Sequence, residues 1–196
     1  MTRPKSYHHG DLRAALQTAA MRMLEKGESF SLRAVARRAG VSATAPYRHF
    51  ADRAALESAL AAEGFRALKA DLSRGQQLPS SAEGLFEFGV IYVDFALRRP
   101  ALFRLMFGRE CDDTSDERVR ATAELHEWLA LALSRVFPDA DAAALATACW
   151  SLAHGLAFLH LDGKLASTPR SVVAPRVRGA FHAILVAREA SSRRTP

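Results

Sequence analysis

Apolar residues recur at three- and four-residue spacing along most of the chain, and no stretch alternates as a strand would. The pattern predicts helices. A first one runs from about Asp11 to Lys26, with Leu12, Leu16, Ala20, Met23 and Leu24 on one face and Gly27 as its stop. Two short helices follow within residues 31–50, and a longer one runs from about Arg53 to Leu72. The polar stretch from Ser73 to Ser81 breaks the pattern. It marks the boundary expected between an N-terminal domain, residues 1–72, and a larger one, residues 73–196. Five more helices are expected at approximately 82–98, 100–107, 116–136, 140–161 and 172–189. Pro100 starts the second of these, Gly108 ends it, and Phe137-Pro138-Asp139 separates the third from the fourth. The expected fold is all-α.

Residues 31–50 carry the most specific signal. Phe30 precedes a Ser31 N-cap, and Val35 lies four positions past the cap, which is the spacing of a hydrophobic staple. Leu32, Val35, Ala36 and Ala39 form the apolar stripe of a two-turn helix. Gly40 stops it, because a left-handed residue costs least without a Cβ. Val41 then plugs the core, and Ser42 is placed to cap a second helix, residues 42–49. This is helix-turn-helix grammar. From Ala43 to His49 the second helix has no acidic residue, and Pro46 falls in or just after its first turn, where little bonding is forfeited. Its outward positions offer small groups for close approach and donors for phosphates or base edges. Tyr47 and Arg48 are expected on phosphates, and Ala43, Thr44 and Ala45 near base edges. Lys5, Ser31, Arg33, Ser42 and Arg53 complete the set expected at double-stranded DNA, with Asp52 capping the helix that Arg53 begins.

The same residues carry a family resemblance. Residues 7–70 resemble the DNA-binding domain of the tetracycline-repressor (TetR) family of bacterial regulators. The match runs through Ala39-Gly40-Val41-Ser42, Tyr47-Arg48-His49-Phe50 and Leu56. Asp52-Arg53 stands where the family often has a Lys, and Pro46 where a plain apolar residue is common. Tyr7-His8-His9-Gly10-Asp11-Leu12-Arg13 and Trp150-Ser-Leu-Ala-His154-Gly155 are similar to one branch, the WHG type. The resemblance implies a regulator, most often a repressor, that binds a palindromic operator as a homodimer and is released by a small effector.

The C-terminal half supplies two further readings. Residues 141–161 are apolar on nearly every face, so a helix there must be buried on two sides. One side suits its own core and the other a partner subunit, although a monomer's central core helix has the same pattern. The interface expected is Leu145, Cys149, Leu152, Leu156 and Leu159, with Val177, Phe181, Ile184 and Leu185 of the last helix. The aromatic load between residues 82 and 161 suits a pocket for a mostly apolar molecule, and suits a solid core equally well. The lining expected draws on Phe88, Tyr92, Phe103, Met106, Phe107, Trp128 and Trp150, with His126 or His154 as polar anchor or as satisfied core group.

Charge supports the division of labour. The net charge of +6 resides in residues 1–70, with 12 Lys/Arg against 6 Asp/Glu; residues 71–196 hold 15 of each. Excess positive charge confined to the candidate reading domain is the footprint of phosphate binding. No apolar run approaches the roughly 18 residues of a membrane span, and the N-terminus has no apolar core of a secretory signal. The two cysteines, Cys111 and Cys149, have no C-x-x-C spacing, which fits a reduced cytoplasmic protein. G-x-S-x-G, Walker A, H-E-x-x-H and dinucleotide-binding glycine motifs are absent. Cys149 on an apolar helix is expected to be an inert thiol. The acidic run Glu110-Cys111-Asp112-Asp113 reads as a solvated turn, and His8-His9 lack zinc spacing. No enzyme activity, cofactor or metal is expected.

Overall fold

The structure is a computed structural model. It describes residues 9–74, 78–108 and 117–192, with side-chain packing from residue 12 to 185 within those spans. Lys5, His8, Cys111 and the acidic run 110–113 lie outside the described residues. Among the described residues eight α-helices follow one another: α1 His9–Glu25, α2 Leu32–Arg38, α3 Arg53–Ser73, α4 Ala82–Arg98, α5 Pro100–Phe107, α6 Glu117–Val136, α7 Ala142–Leu161 and α8 Val173–Ser192. Short 3-10 turns occupy Ala45–Arg48 and Arg170–Val172, and the described residues contain no strand. The fold is all-α.

The chain packs as two compact units. The first comprises residues 1–64 and 101–120, and the second 65–100 and 121–196. These packing units interleave, whereas the polar break at Ser73–Ser81 suggests one boundary. The reason lies in α5, whose stripe Leu102, Phe103 and Met106 is buried within the first unit. Gly64 of α3 is what admits it: a Cβ there would meet the Met106 sulfur at 2.6 Å.

In the first unit, Leu16, Ala20 and Met23 of α1 meet Leu32 and Val35 of α2, Phe50, and Leu56 and Leu60 of α3 around one core. The Ser31 hydroxyl accepts the Ala34 amide at 3.2 Å, the N-cap that the sequence predicts. At the other end of α2, Gly40 has φ +73°, and the Val41 amide donates to Ala36 O at 3.0 Å while Gly40 N donates to Arg37 O at 3.2 Å. That paired bonding is a Schellman cap; a side chain at Gly40 would be strained by backbone geometry rather than by crowding. Val41, packed against the same core, anchors the turn.

In the second unit, α4 packs on both α7 and α8. Ser81 caps α4 by accepting Gly84 N at 3.3 Å, and Asp141 caps α7 by accepting two amides at 3.0 Å. Charged pairs fix the rims. Arg178 of α8 donates from Nε and Nη2 to the two carboxylate oxygens of Glu87 of α4, which lowers the Glu87 carboxyl below its usual range against the opposing effect of burial. Arg98 joins Asp71, at the end of α3, to Asp94 of α4, and Arg170 adds a bond to Asp94 at 3.1 Å.

Helix α7 corrects one expectation. Over an 18-residue window it reaches a mean hydropathy of 1.5 with two or fewer charges, so by length and composition it is apolar enough to cross a membrane. Only 28% of that window is buried within the subunit. Interruptions by Thr147, Ser151, His154 and Gly155 hide this from a search for an unbroken apolar run.

Helices α4 and α8 approach each other closely at Gly89. A Cβ on Gly89 would sit 2.3 Å from the Phe181 ring, which is itself buried. Gly89→Ala should therefore displace Phe181 and cost about 1–3 kcal/mol by overpacking, although alanine is the better helix former. Denaturant unfolding checks this; a stabilised variant would mean that the two helices yield without cost.

Candidate functional site

The candidate reading element differs from the regular helix expected over residues 42–49. A single 3-10 turn at Ala45–Arg48 takes its place, with Thr44 at its N-cap position. Pro46 is the cause. It has no amide to donate and disfavours the α conformation at Ala45 before it. The Ser42 hydroxyl consequently lies 3.3 Å from the Thr44 hydroxyl and caps no amide, while Ser42 O accepts from Ala45 N at 3.1 Å. Behind the turn Pro46 and Phe50 are buried, and His49 is half-buried. In front of it Ser42, Ala43, Thr44, Tyr47 and Arg48 are exposed, with Tyr47 51% accessible despite its size. An aromatic side chain held in water by a rigid turn is costly unless another surface covers it.

The cations around this turn divide into two groups. Arg33, Arg37 and Arg48 are exposed and have no partner among the described residues, so their donors are available to phosphates. Arg38 is tied to Glu28 at 2.7 Å. Arg53 is tied to Glu57 at 2.7 Å and lies 5.3 Å over the Phe30 ring. A phosphate contact by Arg53 would have to compete with both. Sequence reading missed Arg37, although its position one turn after Arg33, on the solvent face of α2, was legible from helical spacing. The Asp52 carboxylate caps α3 as expected, accepting Ala55 N at 2.8 Å. Ser31 is exposed and occupied as a cap.

The second unit contains a cavity of ≈ 620 Å³, counting its solvent-open mouth. Helix α6 forms one wall with Thr122, Leu125, His126 and Leu129, spaced as one helical stripe, and with Trp128 beside it. Opposite stand Leu85, Phe88, Gly89 and Tyr92 of α4, with Cys149, Trp150 and Ala153 of α7. Phe181 of α8 and Leu72, in the last turn of α3, complete the lining. The Phe88 and Trp128 rings stack at 4.9 Å and 19°. Burial pushes the Cys149 thiol up to about 11, so it is neutral and unreactive at physiological pH.

One hydrogen-bond relay crosses the cavity wall. Trp150 Nε1, which can only donate, gives its proton to the Tyr92 oxygen at 3.2 Å. Tyr92 in turn lies 3.0 Å from His154 Nδ1. Burial raises the Tyr92 phenol far above its ordinary value and lowers the His154 imidazole, so both are neutral. Tyr92 and Nδ1 share one hydrogen bond, whose donor is set by the His154 tautomer.

Of the cavity residues expected from sequence, Phe88, Tyr92, His126, Trp128 and Trp150 come together on the wall, and His154 lies behind Tyr92. Phe103, Met106 and Phe107 do not. They belong to α5 in the other unit, where Phe103 and Met106 are buried and Phe107 packs its ring 4.9 Å from Phe103. Aromatic density alone cannot separate a wall from a core. The residues expected at a dimer interface also divide. Cys149, Leu156, Val177, Phe181 and Leu185 are buried inside their own subunit, and Leu145 and Leu152 are half-buried. Leu159 and Ile184 are exposed, at 43% and 49%.

Comparison with known proteins agrees with this architecture. Residues 15–60 match the model of bacterial regulatory proteins of the tetR family, and residues 85–184 match the tetracyclin repressor-like C-terminal domain. A protein of unknown function from Rhodococcus sp. RHA1 is 33% identical in sequence, with a TM-score of 0.76 over 90% of this chain and 96% of that one. A TetR transcriptional regulator from the same organism is 20% identical, with a TM-score of 0.60 over 91% and 98%. A TetR family transcription regulator from Marinobacter aquaeolei VT8 is 21% identical, with a TM-score of 0.57 over 86% and 94%. No curated protein matches the sequence. The reading turn and the helical C-terminal domain define a bacterial transcriptional regulator with a DNA-binding N-terminal domain. The chain belongs to the TetR family.

Two histidines of α7, the buried His160 and the half-buried His154, give the fold a pH dependence. His154 is lowered by burial, and His160 by burial and then by the nearby Arg176. As pH falls through about 6.5, the unfolded chain takes up protons before the folded one, so stability is lost on the acid side. Urea midpoints should fall between about pH 7.5 and 5.5, and the fall should shrink in His154→Gln, which keeps an acceptor for Tyr92. An equal fall in both proteins would remove His154 from the account.

Proposed function

We propose that this regulator is a homodimeric repressor that reads a palindromic operator with the turn at residues 42–49 and releases it when a small, mostly apolar effector fills the cavity. In this reading residues 1–72 form the DNA-binding domain, residues 73–196 the effector and dimerisation domain, and the Trp150–Gly155 segment marks the WHG branch. The protein acts in the cytoplasm without enzymatic chemistry. One observation carries the reading. Helix α3 starts at Arg53, directly after the exposed basic turn, and ends in the turn that contributes Leu72 to the cavity wall. An effector touching Leu72 therefore acts on the helix that follows the reading turn. Its influence on operator affinity can be no larger than its differential affinity for the two states, and DNA weakens effector binding by the same factor that the effector weakens DNA binding.

Dimerisation is supported by α7 and α8. Most of α7 is apolar yet unburied within the subunit, and Ala144, Ala148, Ser151, Gly155 and Leu159 lie along its exposed side. Gly155 and, in α8, Gly179 occupy helix interiors, where glycine costs about 1 kcal/mol against alanine. A Cβ at either would meet nothing within 4 Å. Neither glycine is needed inside the subunit, whereas close approach of a second copy would need both. Two-fold symmetry then requires a palindromic operator.

Two experiments test these proposals. In fluorescence anisotropy with a duplex selected from genomic DNA, Tyr47→Ala with Arg48→Ala should lower specific affinity about 100-fold, or two contacts at roughly 1.4 kcal/mol each. Circular dichroism should be unchanged, and wild-type affinity in the double variant would refute the assigned turn. Light scattering at micromolar concentration should give a dimer, which Leu159→Glu converts to folded monomer by placing an unpaired charge in an apolar contact. A native monomer sinks the dimer. Leu156→Glu is the poorer probe, because Leu156 is buried in its own subunit.

A further inference from the structure

Building on the effector reading, we propose that the cavity selects an uncharged, largely apolar molecule bearing one hydroxyl or carbonyl group, and that His126 holds that group. The first support is the lining. Among the described residues no Asp, Glu, Lys or Arg borders the cavity. An ammonium or carboxylate entering it would lose its hydration with no opposite charge to receive it.

The second support is the state of the hydrogen-bonding groups. Trp150 spends its only proton on Tyr92, and Tyr92 is bonded in turn to His154. His154 is thereby committed to the wall. His126 is different: its Nδ1 is buried and has no hydrogen-bond partner. An unpaired buried nitrogen keeps its desolvation penalty until a polar group arrives. A neutral imidazole nitrogen donates or accepts according to tautomer, so a hydroxyl or a carbonyl would serve and a hydrocarbon would not. The Trp150 ring lies beside His126, with ring centroids 5.8 Å apart. The stacked Phe88–Trp128 pair, which joins α4 to α6 at the cavity, supplies flat apolar surface for the rest of the molecule.

The test uses the full-length protein and four probes that share one skeleton: butylbenzene, 4-phenyl-1-butanol, 4-phenylbutyrate and 4-phenylbutylamine. Calorimetric titration should rank the alcohol about 10-fold above the hydrocarbon, the increment of one hydrogen bond. Both ions should bind at least about 100-fold more weakly than the alcohol. His126→Phe should bring the alcohol down to the level of butylbenzene while leaving butylbenzene unchanged, and His126→Gln should keep much of the difference. A carboxylate or amine that binds as tightly as the alcohol overturns the inference, as does an alcohol preference that survives His126→Phe; the effector reading survives both. If none of the four binds and none raises the melting temperature, both fall. Tight binding of the alcohol that leaves operator affinity untouched sinks the effector reading alone and upholds the ligand class.

Discussion

The second unit depends on how closely α4 and α8 approach. With no side chain at Gly89, the Phe181 ring lies directly on the α4 backbone, and α4 still packs on α7. Both residues also border the cavity. The space is thus bounded by a close contact between two helices, and packing of that kind transmits displacement instead of absorbing it. The Arg178–Glu87 pair holds the same two helices at the surface, where an ion pair contributes geometry more than energy. The link from Asp71 through Arg98 to Asp94 fixes the end of α3 beside them. Leu72, next to Asp71, is held in register with the wall by these contacts.

Much of this was legible in the sequence where the determinants are local. The Ser31 cap, the Gly40 stop and the Asp52 cap each depend on residues within four positions, so spacing was enough to predict them. Helix limits in the C-terminal half followed from Pro100, Gly108 and the Phe137-Pro138-Asp139 break for the same reason. Pro46 was recognised as tolerable, but its effect was underestimated, because one missing amide combined with the restricted preceding residue leaves only a 3-10 turn. Arg53 was read by charge alone, and its pairing with Glu57 one turn later was overlooked.

Tertiary choices were less legible. Phe103 and Met106 have the same apolar character as Phe88 and Trp128. Only the gap at Gly64 decides that α5 fills a core instead of lining a space. Leu72, Leu125 and Gly89 reach the cavity from helices whose rotation no periodicity fixes. For α7 the pattern revealed two apolar sides without saying which faces inward. Cys149 and Leu156 proved to be inside and Leu159 outside, although all three sit on the stripe predicted to meet a partner.

The position of Trp128 and Trp150 has an optical consequence. They are the only two tryptophans in the chain, and both border the cavity. Indole emission excited away from tyrosine therefore comes wholly from that wall, with no background from the reading turn. Any occupant that changes the polarity around Phe88 and Trp128, or disturbs the bond from Trp150 to Tyr92, alters the spectrum without a label. A dye on an oligonucleotide would report DNA association at a separate wavelength. Occupancy and operator release could then be followed in one sample, and the order of the two events read from their relative rates.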